Sequence, residues 1–520
     1  MQKAVCGRFA ALRRKGIYMD DIKLKSLITE YIEAHTDEMV EDIMTLCRIA
    51  SVKGEPKSGR PYGDGPYTAL MKAHELISKY GFETRIYDNR VISGDLNDKE
   101  RKLDILAHMD VVAPGDGWTV TDPFEPVIRN GRIYARGASD DKGPAMAALY
   151  AMRAVKELGI DLNGSCRLVL GSDEECGSSD LPYYFAEEDK APMTFSPDHE
   201  FPVANVEKGH LKGKAVWSRE QESQGDASGK RLKTLECGDT INIVPGKGRA
   251  IVSGFDMEEV REAVSETEAE IKSISKEKNT QFTVDLEYSG KNIREADADI
   301  TDDNSCSAKD ICIRITGCGA HASTPYEGVN AGTVLLNILS KLKFEDEILN
   351  EKLKSLEKLF PYGDHYGKAL GMDVSDEISG ATTVSPDIFR GNSEGLSIGF
   401  DARTAVSADE ENTLRTAEKR IRDAGFAFEY SIKGPHYVSA DSEFIKTLLK
   451  QYELVTGKPG RCTSTGGGTY VHDIENGVAF GAVGESTDTH MHGADEFMPV
   501  SELKEAAVIY AMSIVRLLNS

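Results

Sequence analysis

The stretch Lys102-Leu-Asp-Ile-Leu-Ala-His-Met-Asp-Val-Val112 reads as a buried strand that ends in a histidine and a carboxylate. Residues two apart in a strand face the same side, so His108 and Asp110 can converge. On its own the pair is equally what a polar strand end looks like. Its meaning comes from four later segments of the chain: Arg136-Gly-Ala-Ser-Asp-Asp-Lys-Gly143, Asp173-Glu-Glu175, Pro197-Asp198 and His490-Met-His-Gly-Ala-Asp-Glu496. Each carboxylate or histidine group lies beside a short apolar run or a glycine-bearing turn. Histidines and carboxylates delivered from several strand ends make a site at which divalent cations activate a water and polarise a carbonyl.

The surrounding pattern predicts the architecture. Apolar residues recur at helical spacing from Ile22 to Ala50, and a second helix is expected from Tyr67 to Tyr80. Strands are expected at Glu83–Tyr87, Leu103–Ala107 and Arg167–Leu170, with a helix over Pro144–Leu158 between the last two. Such alternation predicts an α/β domain whose sites lie at strand ends. The pattern changes near Val203. Beyond it come strand-like segments with a charged helix, Met257–Lys278, a strand at Ile311–Ile315 and helices over Val329–Leu342 and Ala417–Ala424, before an amphipathic helix over Ser442–Leu454. The reading is a discontinuous domain, 19–204 with 434–520, interrupted by an inserted domain at 205–433; an insertion of about two hundred residues is of ordinary domain size. Residues 1–18 are basic and are read as an extension outside the fold, without the apolar core of a signal peptide. The polar, acidic stretch 290–310 is read as an exposed loop.

Composition limits the function. The 520-residue chain is too long for one ordinary core. Its 62 Lys+Arg against 86 Asp+Glu give a formal charge of −24, which argues against nucleic acid or an anionic membrane as a partner. No apolar run reaches the roughly 18 residues of a membrane span. The nine cysteines are odd in number and include no CxxC pair, the pattern of reduced thiols in a cytoplasmic protein.

Residue by residue, the chemistry stays open to simpler readings. Asp140-Asp141 before a helix could be helix capping. Glu174-Glu175 could be a solvated acidic patch, although the apolar strand before it favours burial. In a turn one glutamate can bind metal while its neighbour acts as general base. Either His490 or His492 could be a ligand.

Taken together, His108-Met-Asp-Val-Val-Ala-Pro-Gly-Asp-Gly-Trp118, Asp122-Pro-Phe124, Gly137-Ala-Ser-Asp-Asp-Lys-Gly-Pro144, Asp173-Glu-Glu175, Asp198 and His492 with Glu496 resemble the M20 metallopeptidase family, most closely its PepV-type dipeptidases, from about Met19 onward. The resemblance implies an α/β, two-domain fold: a mixed-sheet catalytic domain of the zinc-dependent exopeptidase type with an inserted α+β lid domain. It implies two divalent metal ions, zinc first, with manganese or cobalt as alternatives. His108 and Asp198 would hold one, Glu175 and His492 the other, and Asp140 would bridge them, followed by a cis peptide bond. Glu174 would be the general base and Asp110 the orienter of His108. His492 is preferred over His490 because Glu496 follows it at the family's spacing.

In the lid, the resemblance assigns His321, within Thr316-Gly-Cys-Gly-Ala-His-Ala-Ser-Thr-Pro325, to the carbonyl oxygen on which negative charge develops. Asn242 and Arg403 would hold the substrate, Arg403 through a bidentate fork on its C-terminal carboxylate. Gly467, Gly468 and Thr469 would line the site. The aspartate at position 198 favours substrates with a free amino terminus. The implied protein is a cytoplasmic metallo-dipeptidase acting on small peptides, a monomer with a doubled lid. The alternatives are another amide hydrolase of the family, an N-acyl amino acid deacylase or desuccinylase, and a non-catalytic metal-dependent binding protein. The segment Lys291–Ala308 is longer than the resemblance leads one to expect.

Overall fold

The computed structural model describes residues 20–219, 229–274, 281–288 and 310–520. The extension at 1–18 and the stretch Lys291–Ala308 lie outside the described residues. The chain divides into two compact units, Met1–Glu207 with His436–Ser520 and Lys208–Pro435.

The first unit is built on a mixed sheet. Among the described residues its strands run in the order Glu83–Tyr87, Val91–Asp95, Ser165–Gly171, Arg101–His108, Met193–Ser196, Gly477–Ala479, Val203–Glu207 and His436–Tyr437. The central strand Arg101–His108 is parallel to both Ser165–Gly171 and Met193–Ser196. It is buried from Leu103 to His108, as expected of a parallel strand covered on both faces. Three adjacent strands therefore end along one edge of the sheet, where α/β proteins place their sites.

Helix Lys142–Glu157 packs against this sheet and is buried over Lys142–Val155, with helix Val500–Leu518 against it. A largely apolar helix belongs in such an interior, and its buried Lys142 is satisfied by the Leu46 and Ile49 carbonyl oxygens. Its start depends on Gly143, where a Cβ would meet the Ala138 carbonyl oxygen at 2.1 Å. The long N-terminal helical pattern is two helices, Asp21–Ala34 and Thr36–Cys47. The break is His35, at φ −114°, whose ring stacks on Tyr31 and whose Nδ1 lies 2.7 Å from the Tyr31 carbonyl oxygen.

The second unit carries an antiparallel sheet, ordered Thr283–Tyr288, Ile311–Thr316, Lys247–Ser253, Arg231–Cys237, Thr383–Asn392, Gly395–Thr404, Gly209–Ser218 and Ala427–Lys433 among the described residues. Buried positions alternate along Gly209–Ser218, the signature of a sheet with one covered face. Helices Met257–Ile274, Ala331–Lys341, Glu347–Leu359 and Glu410–Asp423 contribute apolar residues to its separate core. No helix of the described residues is long and apolar enough to cross a membrane.

Candidate active site

Four neighbouring segments and one loop near the C-terminus deliver the acidic and imidazole groups. His108 is the last residue of its strand. Asp140 lies in the loop before helix Lys142–Glu157, and Asp140–Asp141 is a cis peptide. Glu174 and Glu175 form a 3-10 turn just after strand Ser165–Gly171. Asp198 follows strand Met193–Ser196, and His492 comes from the loop before strand Phe497–Pro499.

These groups converge. His108 Nε2 is 2.9 Å from Asp140 Oδ1 and 3.5 Å from Asp198 Oδ2. His492 Nε2 is 2.8 Å from Asp140 Oδ2 and 3.4 Å from Glu175 Oε2. Ligand atoms of His108, Glu174 and Asp198, and of His108, Asp140 and Glu175, form two sets within 4.8 Å of one another. The two oxygens of Asp140 thus face different histidines. His490 has another place, its ring 5.8 Å from that of Phe497.

Asp110 stands beyond the strand end. Its backbone oxygen is 3.0 Å from His108 Nδ1 and its carboxylate 3.5 Å. The carboxylate also accepts the backbone N–H groups of Glu174 and Glu175. The capping reading of Asp141 is not realised. It sits at the N-cap but makes no side-chain cap bond, and instead accepts the His108 backbone N–H at 3.1 Å.

The electrostatics arise from crowding carboxylates in a buried space. Burial opposes ionisation of Asp140, yet the His108 and His492 imidazoles hold its carboxyl below the usual range. Burial, with the charge of Asp140, pushes Glu175 up to about 7. Burial raises Glu174 well above an ordinary glutamate, with Asp198, Glu175 and Asp140 adding to the rise. Burial disfavours a charged His108, but Asp110, Asp140 and Asp198 outweigh it and hold the imidazole well above its usual value.

The donor set fits divalent cations. His108 Nε2, Asp140 Oδ1 and Glu175 Oε1 are buried and satisfied by no hydrogen bond. His108 Nε2 and Asp140 Oδ1 approach each other at 2.9 Å without a well-aligned hydrogen bond, the arrangement of two ligand atoms aimed at a common point. Imidazole nitrogen with carboxylate oxygen is a set that zinc, manganese and cobalt accept.

The remaining residues divide between the units. In the first, Gly467 donates its N–H to Thr465 Oγ1, and Gly468 is exposed. The Thr469 hydroxyl donates to Glu207 Oε1 at 2.8 Å, and Glu207 Oε2 lies 2.8 Å from His472 Nδ1. Thr469 therefore anchors its loop to a buried glutamate that no sequence motif marks.

In the second unit, Asn242 and His321 come together where strands Ile243–Val244 and Ala320–His321 pair. Asn242 O accepts the Ala322 N–H. His321 Nδ1 lies 2.6 Å from Ser323 Oγ and 3.2 Å from the Ser323 backbone nitrogen, so both contacts with Ser323 fall on the Nδ1 side of the ring. Arg403 departs from expectation. Its bidentate partner is Asp401 on its own strand, at 2.6 and 3.1 Å, and its Nη1 lies 3.1 Å from His210 Nε2. Two residues apart on one strand, the pair shares a face, and both side chains are buried. The fork anticipated for a substrate carboxylate is taken up within the protein.

An α/β unit with histidines and carboxylates gathered at the ends of parallel strands has the form of a metal-dependent hydrolase. The chain belongs to peptidase family M20/M25/M40, whose model matches residues 105–516. It is 32% identical over 492 residues to the YtjP protein of Bacillus subtilis, covering 92% of this chain and 97% of that one. It is also 32% identical over 495 residues to the Beta-Ala-Xaa dipeptidase of Lactobacillus delbrueckii subsp. lactis, covering 94% and 97%. Among solved structures, human carnosine dipeptidase 1 matches with TM-score 0.55 at 15% identity, covering 95% of this chain and 99% of that one. The dipeptidase Dug1p of Saccharomyces cerevisiae matches with TM-score 0.54 at 14% identity, covering 95% and 98%. At these identities the structural matches speak to the shared fold.

Proposed function

We propose that this protein is a metallo-dipeptidase that hydrolyses the peptide bond of dipeptides with a free amino terminus. The observation that carries the reading is Asp140, whose two oxygens face the Nε2 atoms of His108 and His492 at 2.9 and 2.8 Å. His108 and Asp198 would hold one divalent ion, Glu175 and His492 another, with Asp140 shared. Zinc is the first candidate and manganese or cobalt the alternatives. Bound there, the ions supply the positive charge that polarises a carbonyl and makes water a nucleophile near neutral pH.

The chain's own groups do the rest. Glu174 takes the proton of the attacking water and delivers it to the leaving amine. Asp110 holds the His108 ring and fixes the turn that carries Glu174. His321, with Nδ1 held by Ser323, donates from Nε2 to the developing oxyanion, and Asn242 beside it contacts substrate. The inserted segment 205–433 would act as the lid of the same chain, with a monomer as the working form; a cytoplasmic location is part of the same reading. The likeness to the Beta-Ala-Xaa dipeptidase supports a dipeptide substrate.

The test is a panel of dipeptides, N-acyl amino acids and N-succinyl amino acids, run on metal-stripped protein reconstituted with zinc, manganese or cobalt. Metal-dependent turnover of free dipeptides is expected. Preference for acylated amino acids would favour a deacylase or desuccinylase, and no turnover with cations bound would favour a binding protein. Mixing a His321→Ala variant with an Asp198→Asn variant should restore no activity if each chain uses its own lid.

A further inference from the structure

The two histidines of the site are secured in opposite ways. His108 has a buried side chain, and its Nδ1 is backed by Asp110. His492 has a side chain 52% exposed. Among the described residues no carbonyl or carboxylate backs its ring away from Asp140 and Glu175. Its backbone lies in the left-handed region at φ 63°, a conformation that a residue with a side chain holds only when its surroundings enforce it.

Those surroundings are a buried ion pair. Arg136 Nη2 donates to the carbonyl oxygens of His492 at 3.0 Å and Gly493 at 3.1 Å. The same guanidinium donates through Nη1 to Glu496 Oε2 at 2.5 Å, both residues being almost fully buried. Glu496 in turn accepts the Gly137 N–H at 3.2 Å, the Ser139 N–H at 2.9 Å and the Ser139 hydroxyl at 3.0 Å. Ser139 directly precedes Asp140. One buried pair therefore fastens the loop that carries Asp140 to the loop that carries His492. Burying two charges is costly, and apolar residues could fill the same space. What the pair adds is a fixed register between these two loops.

We propose that Arg136 and Glu496 are positioning residues that fix the His492 loop against the Asp140 loop and so chiefly set the cation site formed by His492, Glu175 and Asp140, the His108–Asp198 site depending on them only through the shared Asp140. The inference rests on the proposed two-cation reading and sharpens it. Supporting groups around metal ligands commonly govern affinity by about 10–100-fold.

The experiment is a calorimetric titration of metal-stripped, full-length protein with Mn²⁺ and Zn²⁺, with metal content measured after gel filtration. Wild type is compared with Arg136→Lys, Glu496→Gln and Ser139→Ala. His492→Ala and Asp198→Asn mark the two binding events, and thermal melts identify folded variants. Arg136→Lys and Glu496→Gln should weaken by about 10–100-fold the event that His492→Ala removes, while the Asp198→Asn event, reached only through the shared Asp140, weakens by a smaller factor. Ser139→Ala, which leaves the ion pair intact, should weaken the same event by a smaller factor and serves if the ion-pair variants do not fold. Equal weakening of both events, no change in either, or loss confined to the Asp198→Asn event would overturn the inference. Fewer than two cations bound by wild type would instead overturn the reading beneath it.

Discussion

The carboxylate of Asp110 accepts the backbone N–H of Glu174 at 3.2 Å, and its second oxygen accepts that of Glu175 at 3.1 Å. The same side chain lies 3.5 Å from His108 Nδ1. One buried acid thus joins the strand end carrying His108 to the turn carrying the two glutamates. Asp110→Asn keeps the size but can accept with one oxygen only. We expect cation affinity to fall by about 10–100-fold and kcat to fall as well, because Glu174 shares the support. An Asp110→Asn enzyme that regains full kcat at saturating metal would confine the role of Asp110 to the ligands.

Glu174 and Glu175 are neighbours with separable roles. Glu174→Gln is expected to lower kcat by about 10²–10⁴ with metal content unchanged, the range for loss of a general base. Glu175→Gln is expected to lower metal content. Because a Glu174 oxygen also falls within 4.8 Å of ligand atoms of His108 and Asp198, metal analysis decides the matter. Loss of a cation from Glu174→Gln would make it a ligand.

His321 is expected to act on the transition state alone. His321→Ala should lower kcat by about 10²–10³, as removal of an oxyanion donor does, with metal stoichiometry intact. Ser323→Ala removes the hydroxyl 2.6 Å from His321 Nδ1 but leaves the Ser323 N–H in place, and should cost less than His321→Ala. An unchanged kcat in His321→Ala, measured at saturating dipeptide, would remove His321 from the mechanism.

Much of the site is legible in the sequence because its chemistry is written in short motifs at strand ends. His108, Asp140, Glu174, Glu175, Asp198 and His492 all lie in segments where an apolar run or a glycine-bearing turn meets acids or imidazoles. The unread part depends on long-range partners. Glu496 is legible only as a spacing from His492, whereas its contacts reach back to Gly137 and Ser139. Glu207 ends a fully buried strand, a position where an acid needs a partner, but nothing local points to Thr469 or His472. Arg403 is a different case. Its partner Asp401 is only two residues away on the same strand, so the strand's own period of two offered the internal pair as a rival to a substrate carboxylate. Helical spacing likewise carries on through His35, where the histidine's own bond to Tyr31 stops the helix.

Asp387 in the second unit supplies a pH test away from the cation site. It is fully buried, one oxygen has no hydrogen-bond partner, and the other bonds to Ser385 Oγ. Burial, with the charge of Asp401 added, pushes its carboxyl up to about 9, against the smaller opposing effects of Ser385 and Arg403. The folded pKa is therefore above the unfolded value of about 3.9. The folded state binds the extra proton, so the contribution of this group to stability is complete below about pH 4 and is lost progressively as pH rises toward 9. Asp387→Asn, which cannot ionise, should escape that loss. Denaturant melts at pH 5 and pH 8 should show the variant gaining on wild type as pH rises, by on the order of a few kcal/mol. Parallel pH profiles for the two proteins would mean that Asp387 is not held protonated in the folded protein.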